Sequence, residues 1–368
     1  MSPAMVILVT GILCASACAM LGSFLILRRA AMMSDAISHA ILPGLVGGYF
    51  IAQGPNLVAG FAGAVLASTL TVLLIETIRN TRLVDGGSAI GIVFPAMFAL
   101  GTVLVSRYFA NVHLDTDAIL YGNIEFSSFD RWFVANRDLG PQSIWVMSAL
   151  CVINLAFLGL FYKELKVTTF DPGLAASIGM SPILMHYLLM GVLSVTTVGA
   201  FTAVGAVLVV ALVIVPAATA YLLTDSLIEM IGLSVAIGAA SAYFGYYLAV
   251  EMDGSIAGAI VTMTGVFFTG ALLFSPSHGL VAKVLRRSSQ RRRFSAEVLI
   301  VHLLNHEGSP SGAVESEISH LETELRWTPA QASAAMTYAT RRGLIERKGD
   351  QLALSPSGRS VAARVLAR

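Results

Sequence analysis

An aspartate and a histidine one helical turn apart, inside an otherwise apolar stretch, are the side chains of this sequence best suited to do chemistry. They lie in Met33-Ser34-Asp35-Ala36-Ile37-Ser38-His39-Ala40-Ile41-Leu42-Pro43-Gly44. The i, i+4 spacing puts Asp35 and His39 on one helical face, with Ser38 adjoining. A carboxylate oxygen and an imidazole nitrogen so placed can both reach one divalent cation. That donor pair suits Mn2+, Fe2+ or Zn2+ better than soft Cu(I). Two protein ligands make a weak site, which suits a transporter because the ion has to leave again. The same spacing fits two plainer roles: Asp35 and His39 paired only with each other, or Asp35 capping the start of a helix.

The remaining charges have local explanations. Glu76 stands three residues before Arg79, as an ion pair at a helix end would. Ser226-Leu227-Ile228-Glu229 reads as a capping box. His186 follows Ser181-Pro182 by about a turn and is a weak candidate ligand, while Tyr243, Tyr246 and Tyr247 fit an interfacial belt. The stretch 108–142 is polar and carries His113, Asp115, Asp117, Glu125, Asp130 and Asp138, which reads as an exterior, solvated docking surface rather than a metal relay. Asp171 and Pro172 are a good N-cap and first helical residue and Gly179 a good terminator, so residues 171–179 form either a short force-transmitting helix or a capped surface turn.

The elements that must position these groups are set by lipid. Of 368 residues, 56% are apolar and only 12% charged, against roughly 25% charge in ordinary globular domains. Apolar segments fall at about 4–27, 36–53, 56–78, 88–107, 142–162, 183–203, 205–223, 227–248 and 255–274, each near the length needed to cross a hydrocarbon core of roughly 30 Å. The Gly-rich joint at 199–205 leaves eight spans as the alternative count. With nine, Arg28, Arg29, Arg79, Arg82, Lys163, Lys166 and the bases after Lys283 share one face, which is then cytoplasmic and leaves the N-terminus outside. Asp35 falls near the cytoplasmic end of the second span. Glycines at 191, 199, 205, 258 and 265 let helices approach closely. Cys14, Cys18 and Cys151 sit in spans as small apolar residues, and no disulfide framework is expected. The first apolar run lacks a basic leader and reads as a retained helix.

Taken together the motifs resemble the integral permeases of ATP-binding-cassette importers for manganese, zinc and iron. The stretches that carry the resemblance are Ser34-Asp35-Ala36-Ile37-Ser38-His39-Ala40 with Pro43-Gly44, Tyr121-Gly122-Asn123-Ile124, Phe170-Asp171-Pro172-Gly173 through Gly179, and Val215-Pro216-Ala217-Ala218-Thr219-Ala220. The resemblance implies a multi-pass permease of the plasma or inner membrane, homodimeric or heterodimeric with a paralogue, seated on ATP-binding ATPase subunits. It also implies that an extracytoplasmic metal-binding protein delivers the ion. Asp35 and His39 would handle that ion, and Phe170, Asp171, Pro172, Gly173, Ala176 and Gly179 would form the ATPase-coupling helix. No permanent cofactor is implied; the cargo is Mn2+, with Zn2+ or Fe2+ as alternatives. The chain has no G-x-x-x-x-G-K-[ST] phosphate loop, so ATP is hydrolysed elsewhere and the permease is not an enzyme. The competing reading is a secondary metal carrier or channel that needs no ATPase.

Composition changes after about residue 280. The expected organisation is a permease domain at 1–280, a basic juxtamembrane linker at 281–293 and a soluble cytoplasmic domain at 294–368. That domain shows helices at 296–305 and 316–325, a third from Thr328-Pro329, strands at 344–347 and 351–354 around Lys348-Gly349-Asp350, and a closing helix from Pro356. The order resembles winged helix-turn-helix domains, including those of metal-dependent repressors, and similar tails occur on some manganese permeases. The fold class expected is thus an all-α polytopic membrane protein of 8–9 transmembrane helices with a small α+β winged-helix tail. Bases and acids balance in the tail, and its third helix has no Arg or Lys before its last turn, so nucleic acid is set aside in favour of a regulatory or dimerising role. His302 and His306, at i and i+4, are candidate metal sensors with Glu307.

Overall fold

Hydrocarbon offers no hydrogen-bond partners, so a chain this apolar has to close its backbone bonds within helices. The computed structural model describes residues 2–54, 56–108, 124–134, 137–276, 279–307, 316–318 and 324–367. Among them nine helices are long and apolar enough to cross a membrane. They are α1 (Pro3–Leu27), α2 (Met32–Ala52), α3 (Leu57–Asn80), α4 (Gly86–Tyr108), α5 (Gln142–Phe170), α7 (Pro182–Val204), α8 (Ala206–Leu223), α9 (Leu227–Met252) and α10 (Ile256–Phe274), with the short α6 (Pro172–Ser177) between α5 and α7. The Gly-rich joint resolves into two helices because Gly205 takes φ +81° between them, a backbone conformation that side-chain-bearing residues resist.

Side-chain bonds between distant helices join ends that the alternating topology places together. Near one end Thr10 meets Ser143 at 3.2 Å, and Glu125 Oε1 accepts from the Ile256 amide at 3.2 Å. Near the other, Ser23 meets Ser234 at 3.0 Å and the Ser275 hydroxyl donates to the Leu222 carbonyl.

Close packing uses Gly199 of the expected set, where a Cβ would meet the Leu150 side chain, and otherwise other glycines. Gly44 and Gly48 of α2 lie so near Gly63 and Ala59 of α3 that a Cβ on either would meet backbone, and Gly22 of α1 lies equally near the Val213 carbonyl of α8. Gly191 and Gly265 have open space around them. The tight seam is a G-x-x-x-G pair, Gly44 and Gly48, which lets two backbones approach where side chains would hold them apart.

Two local readings are corrected and one stretch gains structure. Within 108–142, β1 (Arg131–Val134) pairs antiparallel with β2 (Arg137–Pro141), and Arg131 Nη1 donates to Asp138 Oδ2 at 3.0 Å. His113, Asp115, Asp117 and Tyr121-Gly122-Asn123 lie outside the described residues. The span expected at 142–162 continues as helix through a kink at Phe161 to Phe170. Glu229 accepts from the Thr224 hydroxyl and makes no capping box with Ser226, whose side chain caps nothing.

Contacts divide the chain into Met1–Ser277 and His278–Arg368. In the second unit the stretch expected as a linker, 281–293, is the first half of one helix, α11 (Leu280–His306); it lacks Pro and Gly and is rich in Arg, a good helix former. Then come α12 (Pro329–Arg341), the hairpin β3 (Ile345–Lys348) and β4 (Gln351–Leu354), and α13 (Pro356–Leu366). Thr328 and Gln331 form the reciprocal capping box of α12, and Gly349 at φ +68° makes the hairpin turn. Ser316 and Glu317, expected to open a helix, pair along β4 instead: Leu352 N donates to Ser316 O at 3.0 Å and Glu317 bridges Gln351. Residues 319–323 of that expected helix lie outside the described residues. Leu299, Ile300, Ala339, Ile345, Leu352 and Ala362 form the core of this unit.

Candidate metal and coupling sites

α2 begins at Met32, earlier than the hydropathy pattern suggests, so Asp35 and His39 are both inside the helix. Ala31 occupies the N-cap and no side chain caps this end. Asp35 therefore does not serve as a cap, although as an acid in the first turn it is favoured by the helix dipole. Asp35 Oδ1 lies 3.6 Å from His39 Nε2, too far for a hydrogen bond between them. Both side chains are partly exposed, 36% for Asp35 and 26% for His39, while Ser34, Ala36 and Ile37 around them are buried. The His39 ring is held by Phe94, with centroids 4.8 Å apart, and edge-on by Phe98 at 5.4 Å, both on α4. Ser38 turns its hydroxyl to the Ser34 carbonyl at 2.9 Å.

Donors about 2.1 Å from a common ion stand about 3.0 Å apart at a right angle and about 3.4 Å apart at a tetrahedral one. A separation of 3.6 Å thus needs only a small rotamer adjustment to seat one cation. Among the described residues no group of three or more His, Cys, Asp or Glu could hold a metal. The pair offers two donors of its own and leaves the other coordination positions to water or substrate-side ligands.

α6 is built as its sequence predicts. Asp171 Oδ1 accepts from the Leu174 amide at 2.9 Å, Pro172 is the first helical residue, and Gly179 at φ +85° ends the turn. Met180 N donates to Ala175 O at 2.9 Å and Gly179 N to Ala176 O at 3.2 Å, which closes the C-terminal carbonyls. Only Ala175 of the helix is buried. Phe170, Leu174 and Ile178 stand 61%, 52% and 56% exposed at spacings of four residues. Phe170 closes α5 and Ile178 follows α6 as its C-cap, so these are exposed apolar side chains within and around the short helix, a feature that fits a partner surface.

Two contacts beside α6 have no local sequence signature. Glu76, only 3% exposed, accepts Arg79 Nη2 at 2.7 Å on Oε2, as its spacing predicts, but its Oε1 meets His186 Nε2 at 3.0 Å across 110 residues. Arg28 donates from Nε to Thr169 Oγ1 and from Nη2 to Thr168 Oγ1, both at 2.9 Å. Of the remaining candidates, Tyr243, Tyr246 and Tyr247 cluster, with ring centroids of Tyr243 and Tyr247 4.9 Å apart. In the second unit the His302 and His306 rings stand 4.7 Å apart. Glu307 turns instead to Arg359, which holds its carboxyl below the usual carboxylate range by a hydrogen-bonded ion pair.

A family model described as "ABC 3 transport family" matches residues 2–275. The zinc transport system membrane protein TroD of Treponema pallidum is 44% identical over 346 residues, 94% of each chain, a match longer than the first unit. The manganese transport system membrane protein MntD of Bacillus subtilis is 42% identical over 286 residues, 78% of this chain and 97% of that one. The structure of PsaBC from Streptococcus pneumoniae in complex with Fab superposes with a TM-score of 0.63 at 32% identity, covering 74% of this chain and 92% of that chain.

Proposed function

Because this chain belongs to the ABC 3 transport family, we infer that it is the membrane-spanning permease subunit of an ATP-driven importer of divalent transition-metal ions. It is not itself an enzyme, and ATP is hydrolysed by a separate ATPase chain. The observation that carries the ion-handling role is the placement of Asp35 Oδ1 and His39 Nε2, 3.6 Å apart on a partly open face of a spanning helix. An ionisable pair there is costly unless it meets water or a cation.

In this reading Asp35 and His39 are the ion's protein ligands along its path. Manganese is the proposed cargo: relatives named for zinc and for manganese transport are 44% and 42% identical, a further one named for manganese transport is 39% identical, and a carboxylate with an imidazole serves Mn2+, Zn2+ and Fe2+ alike. The end of the bundle bearing Arg28, Arg79, Lys163 and α6 is the cytoplasmic one by its excess of bases. α6, with Phe170, Asp171, Pro172, Gly173, Ala176 and Gly179 at and around it, is the docking helix for the ATPase. A second permease chain and an extracytoplasmic metal-binding protein complete the importer.

The element order α11, α12, β3–β4 and α13, with residue 317 bridged to β4, supports a winged-helix reading of the second unit, cytoplasmic and with a regulatory or dimerising role. Deleting residues 294–368 is then expected to leave the permease able to transport.

Uptake of radioactive Mn2+ into proteoliposomes containing the permease and its ATPase tests the central reading. Asp35→Asn and His39→Gln are each expected to lower uptake at least about tenfold, as second-shell or ligand losses at metal sites do, with the protein still in the membrane. Normal uptake by both variants would remove the site. ATP-independent uptake by the permease alone would replace the importer with a carrier or channel.

A further inference from the structure

The end of the bundle that carries α6 also holds the most enclosed charged cluster of the membrane unit among the described residues. Upstream of α6, Arg28 at the end of α1 is bonded to Thr168 and Thr169, the two residues before Phe170. Downstream, α7 opens on Ser181 and Pro182, and His186 one turn later is bonded to Glu76 at the end of α3. The helices on either side of α6 are thus tied, α5 to the end of α1 and α7 to the end of α3. Arg28, Glu76, Thr168, Thr169, Pro172 and His186 line a single cleft of about 430 Å³.

Both ties have the chemistry of fixed joints. A guanidinium is planar and permanently charged, so two donated bonds set its orientation as well as its distance. A carboxylate that is 3% exposed and shared between Arg79 and His186 cannot release either partner without leaving a buried charge short of one. The Arg28 joint also has a stiff route to the metal ligands. Arg29 N donates to Ile26 O at 3.1 Å, Ala30 N to Leu25 O at 2.9 Å and Met33 N to Ala30 O at 3.0 Å. This hydrogen-bonded corner leads directly into α2, whose first turn carries Asp35.

We propose that Arg28 and the Glu76–His186 pair are positioning residues that make α6, the α1–α2 corner and the end of α3 move as one body, so that displacement of α6 by the ATPase reaches Asp35 and His39. This rests on the reading of α6 as the ATPase-docking helix and of Asp35 with His39 as ion ligands. Without the two ties, the ends of α5 and α7 that flank α6 are no longer pinned to α1 and α3, α6 keeps only the packing of Ala175, and an ATPase stroke is absorbed by bending at Asp171 and Gly179.

The test uses the full importer in proteoliposomes, reading ATP hydrolysed and ions moved in the same sample. Arg28→Gln and the double variant Thr168→Val/Thr169→Val are each expected to keep the ATPase bound and hydrolysing near the wild-type rate, while ions moved per ATP fall at least about fivefold, the low end of common coupling free energies. Arg28→Lys restores part of the loss. Glu76→Gln and His186→Gln are expected to uncouple by similar amounts, and their combination no further. Wild-type ions per ATP in the Thr168→Val/Thr169→Val variant, or hydrolysis and uptake falling in parallel in it, overturns the proposal whatever Arg28→Gln does. A separate control, Leu174→Asp, addresses the underlying reading: if it leaves the ATPase bound, the docking role of α6 fails rather than the joints.

Discussion

His39 reaches toward Asp35 from between two aromatic rings: Phe94 lies 4.8 Å from its ring centre and Phe98 5.4 Å, while its Nε2 faces Asp35 Oδ1 at 3.6 Å. The rings fix where the imidazole nitrogen points, and the helix fixes where the carboxylate stands. The imidazole is therefore held in one orientation beside the carboxylate.

Phe94→Ala takes away the nearer ring. An aromatic contact of this kind is worth about 0.5–1.5 kcal/mol, so Mn2+ affinity measured by calorimetry on the purified permease is expected to weaken by roughly two- to tenfold, with helical content unchanged. Unaltered affinity would mean that the ring does not orient His39.

Asp171→Ala removes the cap that accepts the Leu174 amide, at a cost of about 1 kcal/mol to the start of α6. Gly179→Val forces a branched side chain into φ +85°, which costs on the order of 1–3 kcal/mol. Both are expected to weaken co-purification of the ATPase while leaving Mn2+ binding to the permease as in wild type.

Gly63→Ala sets a methyl against the Gly44 carbonyl across the α2–α3 seam, whereas a methyl at Gly191 meets nothing. The first is expected to destabilise by about 1–3 kcal/mol, seen as a lower melting temperature in detergent and reduced uptake. Gly191→Ala, inside α7, is expected to be neutral or slightly stabilising. Equal effects of the two would show that the seam relaxes freely.

The Glu307–Arg359 pair gives the second unit a pH dependence of known sign. Arg359 holds the folded Glu307 carboxyl below its ordinary value, so the pair's contribution is complete above about pH 4.3 and is lost as pH falls through the lowered folded value. Both side chains are substantially exposed, which makes the contribution small. Hydrogen exchange of α11 and α13 is expected to rise at acid pH in wild type, and Glu307→Gln to exchange faster already at neutral pH with less further change on acidification.

The sequence by itself determined the approximate place of the spanning helices and bounded their number at eight or nine, because a backbone in hydrocarbon must satisfy itself within each apolar run; the break at Gly205 that makes them nine among the described residues came from the fold. It also determined Asp35 with His39 as the ionisable pair on one face, and the capped helix at 171–179, since both follow from spacing within one turn. The tertiary structure decided what spacing cannot encode. Glu76 lies 110 residues from His186, and Arg28 lies 140 from Thr168; no period in the chain links such positions. Which glycines form the tight α2–α3 seam, and that Glu229 bonds Thr224 rather than capping with Ser226, likewise depended on which surfaces meet. Local hydrogen bonding and burial cost act within a few residues of chain, whereas partners brought together by packing are chosen by the shape of the whole bundle.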